Sequence, residues 1–191
     1  MKSIVLMGIK HCGKSTQARM ISEKLGCDSF DTDDVIAEMT GKTPREIYTE
    51  SGEGEFKKAE VMACRKVCGD LSVSGKRAVS ATGGGICNNP EAIEVLRKTG
   101  TLVYLCADKN VATERVVREI TVAPDGTLGN MPAYIAKKNP RTKADAESIF
   151  HEFYDAREKI YSSLADVRIE LETQTKVENR DKILRELSVL D

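Results

Sequence analysis

The chain has 191 residues, 40% hydrophobic and 31% charged, with a net formal charge of −1, which suits one soluble globular domain with a sizeable core. Acidic and basic residues are well mixed and Trp is absent, so neither a basic nucleic-acid surface nor a stacking platform for single strands is expected. No apolar run approaches the ~18 residues of a membrane span, and Ile4-Val5-Leu6-Met7 is too short for a secretory signal, so no membrane partner is expected and the expected setting is cytoplasmic.

In chain order, 3–7 reads as an apolar strand ended by Gly8. A helix over 14–25 follows, with Ala18, Ile21 and Leu25 at helical spacing and Gly26 as its stop. A short strand at 29–31 precedes a helix over 33–38, and Pro44 suits the first turn of another. A long helix is expected over 53–71, then a strand over 77–81 closed by Gly83-Gly84-Gly85. A helix over 90–97, a buried strand over 101–106 and a helix over 110–119 continue the alternation. Over 120–143 the pattern fails: Pro124, Asp125-Gly126, Gly129, Pro132 and Pro140 interrupt it, and Lys137, Lys138, Arg141 and Lys143 make it basic. A long loop inside a compact domain is usually a functional lid or a disordered segment. A helix over 145–164, a fifth strand over 167–171 and a helix over 177–190 close the chain. Strands alternating with helices signal an α/β domain with a mostly parallel sheet, here a single domain over 1–191.

The six cysteines are scattered without a CxxC pair, the usage of a reduced protein in which Cys serves as a small apolar residue. Cys64 and Cys68 share a helix, but metal ligation needs two further ligands that the neighbourhood lacks, so core packing is expected. His11 and His151 are the only histidines, which leaves little material for a His-based triad.

Gly8-Ile9-Lys10-His11-Cys12-Gly13-Lys14-Ser15 fits G-x-x-x-x-G-K-[ST], after a strand and at the start of a helix. Gly8 and Gly13 let the backbone curl so that several N–H groups, Cys12's included, face phosphate oxygens, and the helix N-terminus adds partial positive charge. Lys14 can reach the β- and γ-phosphates of ATP, Ser15 can ligate Mg²⁺ and Thr16 can meet the α-phosphate. Lys10 and His11 are expected to face solvent. Cys12 is either an inert filler or, near a helix N-terminus and Lys14, a reactive thiol.

In Phe30-Asp31-Thr32-Asp33-Asp34 the carboxylates of Asp31 and Asp33 alternate and share one face. At the C-terminal end of a parallel strand that face looks into the ligand crevice. One carboxylate can hold Mg²⁺ and the other can orient an attacking hydroxyl or accept its proton; either can also cap the following helix. Gly83-Gly84-Gly85 stands at the same sheet end and exposes backbone N–H groups to an anion or a hydroxyl.

The P-loop, the Asp-x-Asp segment and the triple glycine, in this order, resemble the shikimate kinase family within the nucleoside monophosphate kinase-like P-loop fold. Thr40-Gly41, Gly52-Glu53-x-Glu55-Phe56, Thr82, Val103-Tyr104-Leu105 and the segment from Arg157 to Tyr161 extend the resemblance over most of the chain. It implies a five-stranded parallel sheet in the order 2-3-1-4-5 with helices on both faces and a mobile lid at about 120–145. It also implies transfer of the γ-phosphoryl group of ATP to a hydroxyl of shikimate or a similar hydroxylated acid, a step in aromatic amino acid biosynthesis. By the same resemblance Lys14 binds the β- and γ-phosphates, Ser15 and Asp31 serve Mg²⁺, and Asp33 holds the acceptor hydroxyls as the best base candidate. Gly83, Gly84 and Gly85 contact the acceptor, Arg157 pairs with its carboxylate, Arg115 and Arg118 lie in the helix leading to the lid, and Arg118 matches a position near the adenine. The acceptor-binding region is expected at about 31–60, and a monomer is the default for this size.

Two departures stand out. The family places an arginine directly after Gly-x-x-x-Phe, and this chain has Lys57, a point charge where a planar bidentate grip is usual. The family's Arg-Pro pair at the lid start is replaced by Val122 and Ala123. Lys137, Lys138 or Arg141 could supply the lid cation instead, or only solvate a surface. The alternatives are a kinase of a different small acid or polyol, or a catalytically weak ATP-binding regulatory protein. The triple glycine and the early Asp-x-Asp disfavour a nucleoside monophosphate kinase.

Overall fold

Short, fully apolar strands cannot leave either face in water, so they gather into a sheet covered on both sides by helices. The computed structural model describes residues 2–171 and 175–188, with only the backbone of Ala133. At the centre lies β1 (Ser3–Met7), buried at every position. It pairs in parallel with β3 (Ala78–Ala81) on one side and β4 (Gly100–Ala107) on the other. The outer strands are β2 (Asp28–Asp31), on β3, and β7 (Val167–Leu171), on β4. The order β2-β3-β1-β4-β7 is the expected 2-3-1-4-5 when the sheet's own strands are counted.

Helix α1 (Lys14–Leu25) follows β1 directly and packs on β1, β2 and β3, with α8 (Lys176–Ser188) beside it. The last two residues of the helix expected over 177–190 lie outside the described residues. On β4 lie α4 (Pro90–Thr99) and α7 (Lys143–Leu164), the latter also against α5 (Lys109–Glu119). The largest side chains of the core include Tyr104 and Tyr161, whose rings stack 5.2 Å apart, and Phe150. Among the described residues no helix is long and apolar enough to cross a membrane.

A second apolar cluster joins α2 (Thr32–Thr40) to α3 (Pro44–Ser74) through Val35, Ile36, Ile47, Val67 and Leu71. Thr43 opens α3 with a reciprocal capping box to Glu46. Gly52, at φ 84°, breaks this span into the two helices the sequence suggests. Ala78 of β3 belongs to the same cluster, and Phe30 of β2 packs against it.

The structure corrects the reading of 120–143 as patternless. It contains a small hairpin, β5 (Thr121–Val122) with β6 (Leu128–Gly129), and a one-turn helix, α6 (Ala133–Ala136). Strands of two residues and a helix of four carry no readable periodicity. All six cysteines are free. Cys64 is buried, and burial pushes its thiol up to about 12, which fits an apolar filler. No cluster of three or more metal-ligating side chains occurs among the described residues.

Candidate active site

The crevice lies at the C-terminal end of the sheet. A cavity of about 750 Å³ is lined by Lys10 to Gln17 of the loop and helix start, by Asp31, Asp33, Thr82 and Gly84, and by Val111, Arg115 and Arg118 of α5. Lys14 is buried, and its ammonium donates to the Ile9 carbonyl at 2.8 Å and lies 3.7 Å from Cys12 Sγ. No carboxylate pairs with it among the described residues, so its charge is free for an anion. Ser15 Oγ donates to Asp31 Oδ2 at 2.6 Å, while Asp31 Oδ1 accepts the Asp33 N–H and caps α2. Capping and a site role therefore coexist in Asp31, on separate oxygens. Gly8 and Gly13 lie in the turn between β1 and α1 and Thr16 in the first turn of α1; Gly13 and Thr16 line the cavity, and Gly8 does not.

One expectation about the loop changes. Lys10 is exposed, but His11 is half-buried, with Nε2 3.3 Å from Glu119 Oε2 and its carbonyl accepting from Arg115 at 2.8 Å. Burial, then the charge of Lys10, keeps the imidazole below its ordinary range. Arg115 thus braces the loop as well as lining the cavity. Cys12 is 2% exposed, so the filler reading is the better of the two.

Beside the loop, the three glycines bring distant groups together. A Cβ on Gly83 would lie 2.8 Å from Asp33 Oδ1 and 3.4 Å from Glu60 Oε1. One on Gly84 would lie 2.7 Å from the backbone nitrogen of Lys10. The Gly84 carbonyl accepts from Arg157 Nη1 at 3.1 Å, and Gly85 faces the same guanidinium. Three successive residues therefore touch the carboxyl, the phosphate loop and the arginine. Arg157 also donates to Cys87 Sγ and lies over the Phe153 ring.

Sequence reasoning missed Glu60. It is 1% exposed, on α3, and its Oε2 accepts from Asn89 Nδ2 at 2.9 Å while Oε1 has no partner. Asn89 also donates to the Lys57 carbonyl and caps α4. The available signal was a glutamate on the stripe Glu60, Cys64, Val67, Leu71, where every other member is apolar. Burial, then the charge of Asp31, raises Asp33 to about 6, with Lys14 opposing. Burial raises Glu60 to about 7 against the Asn89 hydrogen bond, and Asp33 adds to the rise. Two carboxyls flanking one glycine resist ionising together.

Lys57 Nζ is 3.0 Å from Glu53. Of the basic lid residues, Lys138 pairs with Glu152 at 2.7 Å. Lys137 instead donates to the Tyr48 hydroxyl and lies over its ring. Lys57, Gly83, Gly85 and Arg157 are not among the residues lining this cavity.

Residues 10–188 match the family model described as shikimate kinase. The shikimate kinase of Thermodesulfovibrio yellowstonii is 32% identical over 186 residues, 97% of this chain and 95% of that one. The shikimate kinase of Bacillus cytotoxicus is 33% identical over 150 residues, covering 78% of this chain and 86% of that one. The solved shikimate kinase of Acinetobacter baumannii, in complex with shikimate, superposes with a TM-score of 0.77 at 25% identity, covering 100% of this chain and 95% of that one. The matched range takes in most of the chain, and the chain belongs to the shikimate kinase family, phosphotransferases with an alcohol group as acceptor.

Proposed function

We propose that this chain phosphorylates shikimate, moving the γ-phosphoryl group of ATP, held with Mg²⁺, onto a ring hydroxyl. The observation that carries this reading is the glycine run, whose successive residues touch Asp33, the phosphate loop and Arg157. A hydroxylated ring acid needs those three neighbours: a carboxyl for its hydroxyl, a guanidinium for its own carboxylate and a phosphate donor between them.

The residues present fit a magnesium nucleotide. Lys14 is a buried cation paired, among the described residues, with a carbonyl and a thiol, which suits polyphosphate oxygens. Ser15 and Asp31, 2.6 Å apart, supply one hydroxyl and one carboxylate, the small protein share that Mg²⁺ takes when phosphates complete its shell. When bound, Mg²⁺ neutralises charge on the phosphate oxygens. Gly8, Cys12, Gly13 and Thr16 direct backbone and hydroxyl donors at the phosphates, and Arg115 and Arg118 flank the nucleoside end.

Asp33 then orients the acceptor hydroxyl and takes its proton. Burial, then the Asp31 carboxylate, raises the Asp33 carboxyl above its ordinary range, which suits a group that receives a proton. Lys14 follows the charge that develops on the transferred oxygens. Gly83, Gly84 and Gly85 hold the ring close to the backbone, Arg157 and Lys57 hold its carboxylate, and the lid over 120–145 excludes water. Every group named comes from one chain, so a monomer suffices, and the free cysteines support a reduced, cytoplasmic setting.

A second reading is favoured by one observation. Lys57 is tied to Glu53, which suits a different hydroxylated acid with less demand on that position. ADP release from Mg·ATP, measured against shikimate, other hydroxy acids, sugars and nucleoside monophosphates, separates these readings. Shikimate should stimulate release most. Stronger stimulation by another acid would transfer the assignment to it, and no stimulation by any acceptor would favour a regulatory ATP-binding protein.

A further inference from the structure

The lid of this chain carries a feature that neither the phosphate cradle nor the paired acids use. Helix α6 lies between two walls of the acceptor half. From it, Tyr134 stacks on Phe153 of α7, with ring centroids 3.6 Å apart and planes at 9°. Directly after α6, the ammonium of Lys137 rests on Tyr48 of α3, 4.9 Å from the ring centroid. The short helix is thus pinned at both ends across the acceptor side, away from the nucleoside side.

Phe153 is shared. The Arg157 guanidinium lies 4.5 Å from the same ring that Tyr134 stacks on. Both protein hydrogen bonds of Arg157 leave from Nη1, to a carbonyl and to a thiol, and no carboxylate pairs with it among the described residues. The Tyr134 hydroxyl is shut off from solvent and has no hydrogen-bond partner among the described residues. A buried phenol with an unmade hydrogen bond carries a desolvation cost that a ligand can remove. Burial raises this phenol above its ordinary range, with Arg157 working against the rise, so it stays a neutral donor. Lys57 foremost, then Lys137 and Arg157, hold Glu53 below the usual carboxylate range, so these three cations share one neighbourhood.

We propose that Tyr134 is a specificity-determining residue of the acceptor site, donating its phenolic O–H to the acceptor's carboxylate beside Arg157. The proposal rests on the reading above that the acceptor is a carboxylic acid. A carboxylate has two oxygens and about four lone-pair sites, so it can accept from a guanidinium and a phenol together. The contact also couples lid closure to an acid ligand, because α6 is held in place by what it grips.

The test is Tyr134→Phe, which keeps the ring that stacks on Phe153 and removes only the hydroxyl. KM for shikimate should rise roughly ten- to hundredfold, the loss of one hydrogen bond to a charged group, with kcat lowered less than about twofold because the contact is remote from the transferred phosphoryl. A shikimate analogue bearing a hydroxymethyl group in place of the carboxylate supplies the control, and its KM should be the same for both proteins. An equal rise for acid and analogue, or no rise for either, overturns the assignment of Tyr134 and leaves the acceptor reading standing. Failure of the unsubstituted protein to phosphorylate shikimate, or any other carboxylic acid, overturns the acceptor reading and Tyr134 with it.

Discussion

The nucleotide half and the acceptor half of the crevice are built on opposite plans. The first is contiguous backbone: one loop, one helix start and one buried lysine, with no carboxylate paired to that cation among the described residues. The second is assembled from side chains on α2, α3 and α7, the glycine run and the lid, and it holds two carboxyls well above their ordinary values. A backbone cradle is set by local sequence and positions phosphates before any ligand arrives. A side-chain pocket is set by tertiary packing, and its charge balance is completed by the ligand. On the proposed reading, nucleotide binding falls to the first half and choice of acceptor to the second.

The largest effect expected is on the cradle. Lys14→Ala should lower the transfer rate by about a thousandfold or more, because the charge on the transferred oxygens loses its buried cation. Turnover assays at saturating nucleotide check this, and a loss under tenfold would separate the loop from the chemistry. Next is the seam between the halves. Gly84→Ala places a methyl 2.7 Å from the Lys10 backbone nitrogen, and a backbone neighbour cannot step aside. Loss of about 1–3 kcal/mol in unfolding free energy is expected, with KM for both substrates rising in step, since the seam serves both.

Glu60→Gln probes the acceptor half alone. The Glu60 carboxyl titrates at about 7 when folded, above its ordinary 4.5. The folded state therefore binds a proton more tightly than the unfolded chain, and the stability this contributes is lost as pH rises through about 7. The glutamine variant should be more stable than the parent by on the order of 2 kcal/mol near pH 8, with the gain fading toward pH 5. Melting curves at the two pH values would show it, and a gain independent of pH would point to packing. The smallest effect belongs to Lys57→Arg. Arginine offers two parallel donors where lysine offers one, so KM for shikimate should fall by about threefold to tenfold, with kcat and nucleotide KM little changed.

How much of this was legible in the sequence follows the same division. The cradle was readable because its spacing is local, and the strand order because it came with the family resemblance. The place of Asp33 in the crevice was expected, but it does not alternate with Asp31 along a strand, because β2 ends at Asp31, which caps α2, and Asp33 stands in the first helical turn. Glu60 was not, because its site character comes from packing against Gly83 and Asn89, which are distant in sequence. His11 was misjudged as solvent-facing, since Glu119 and Arg115, which half-bury it, arrive from α5. The lid's hairpin and α6 were invisible, because each spans about one period of its pattern and a single period shows no repeat.

The central claim is that Asp33 activates the acceptor while the backbone cradle binds the nucleotide without it. Transfer of labelled γ-phosphoryl to shikimate by Asp33→Asn, with Mg·ATP affinity titrated on the same sample, tests this most directly. The rate should fall about a hundred- to ten-thousandfold while the nucleotide Kd stays within about twofold. Retained transfer, or nucleotide affinity that collapses together with the rate, would contradict it.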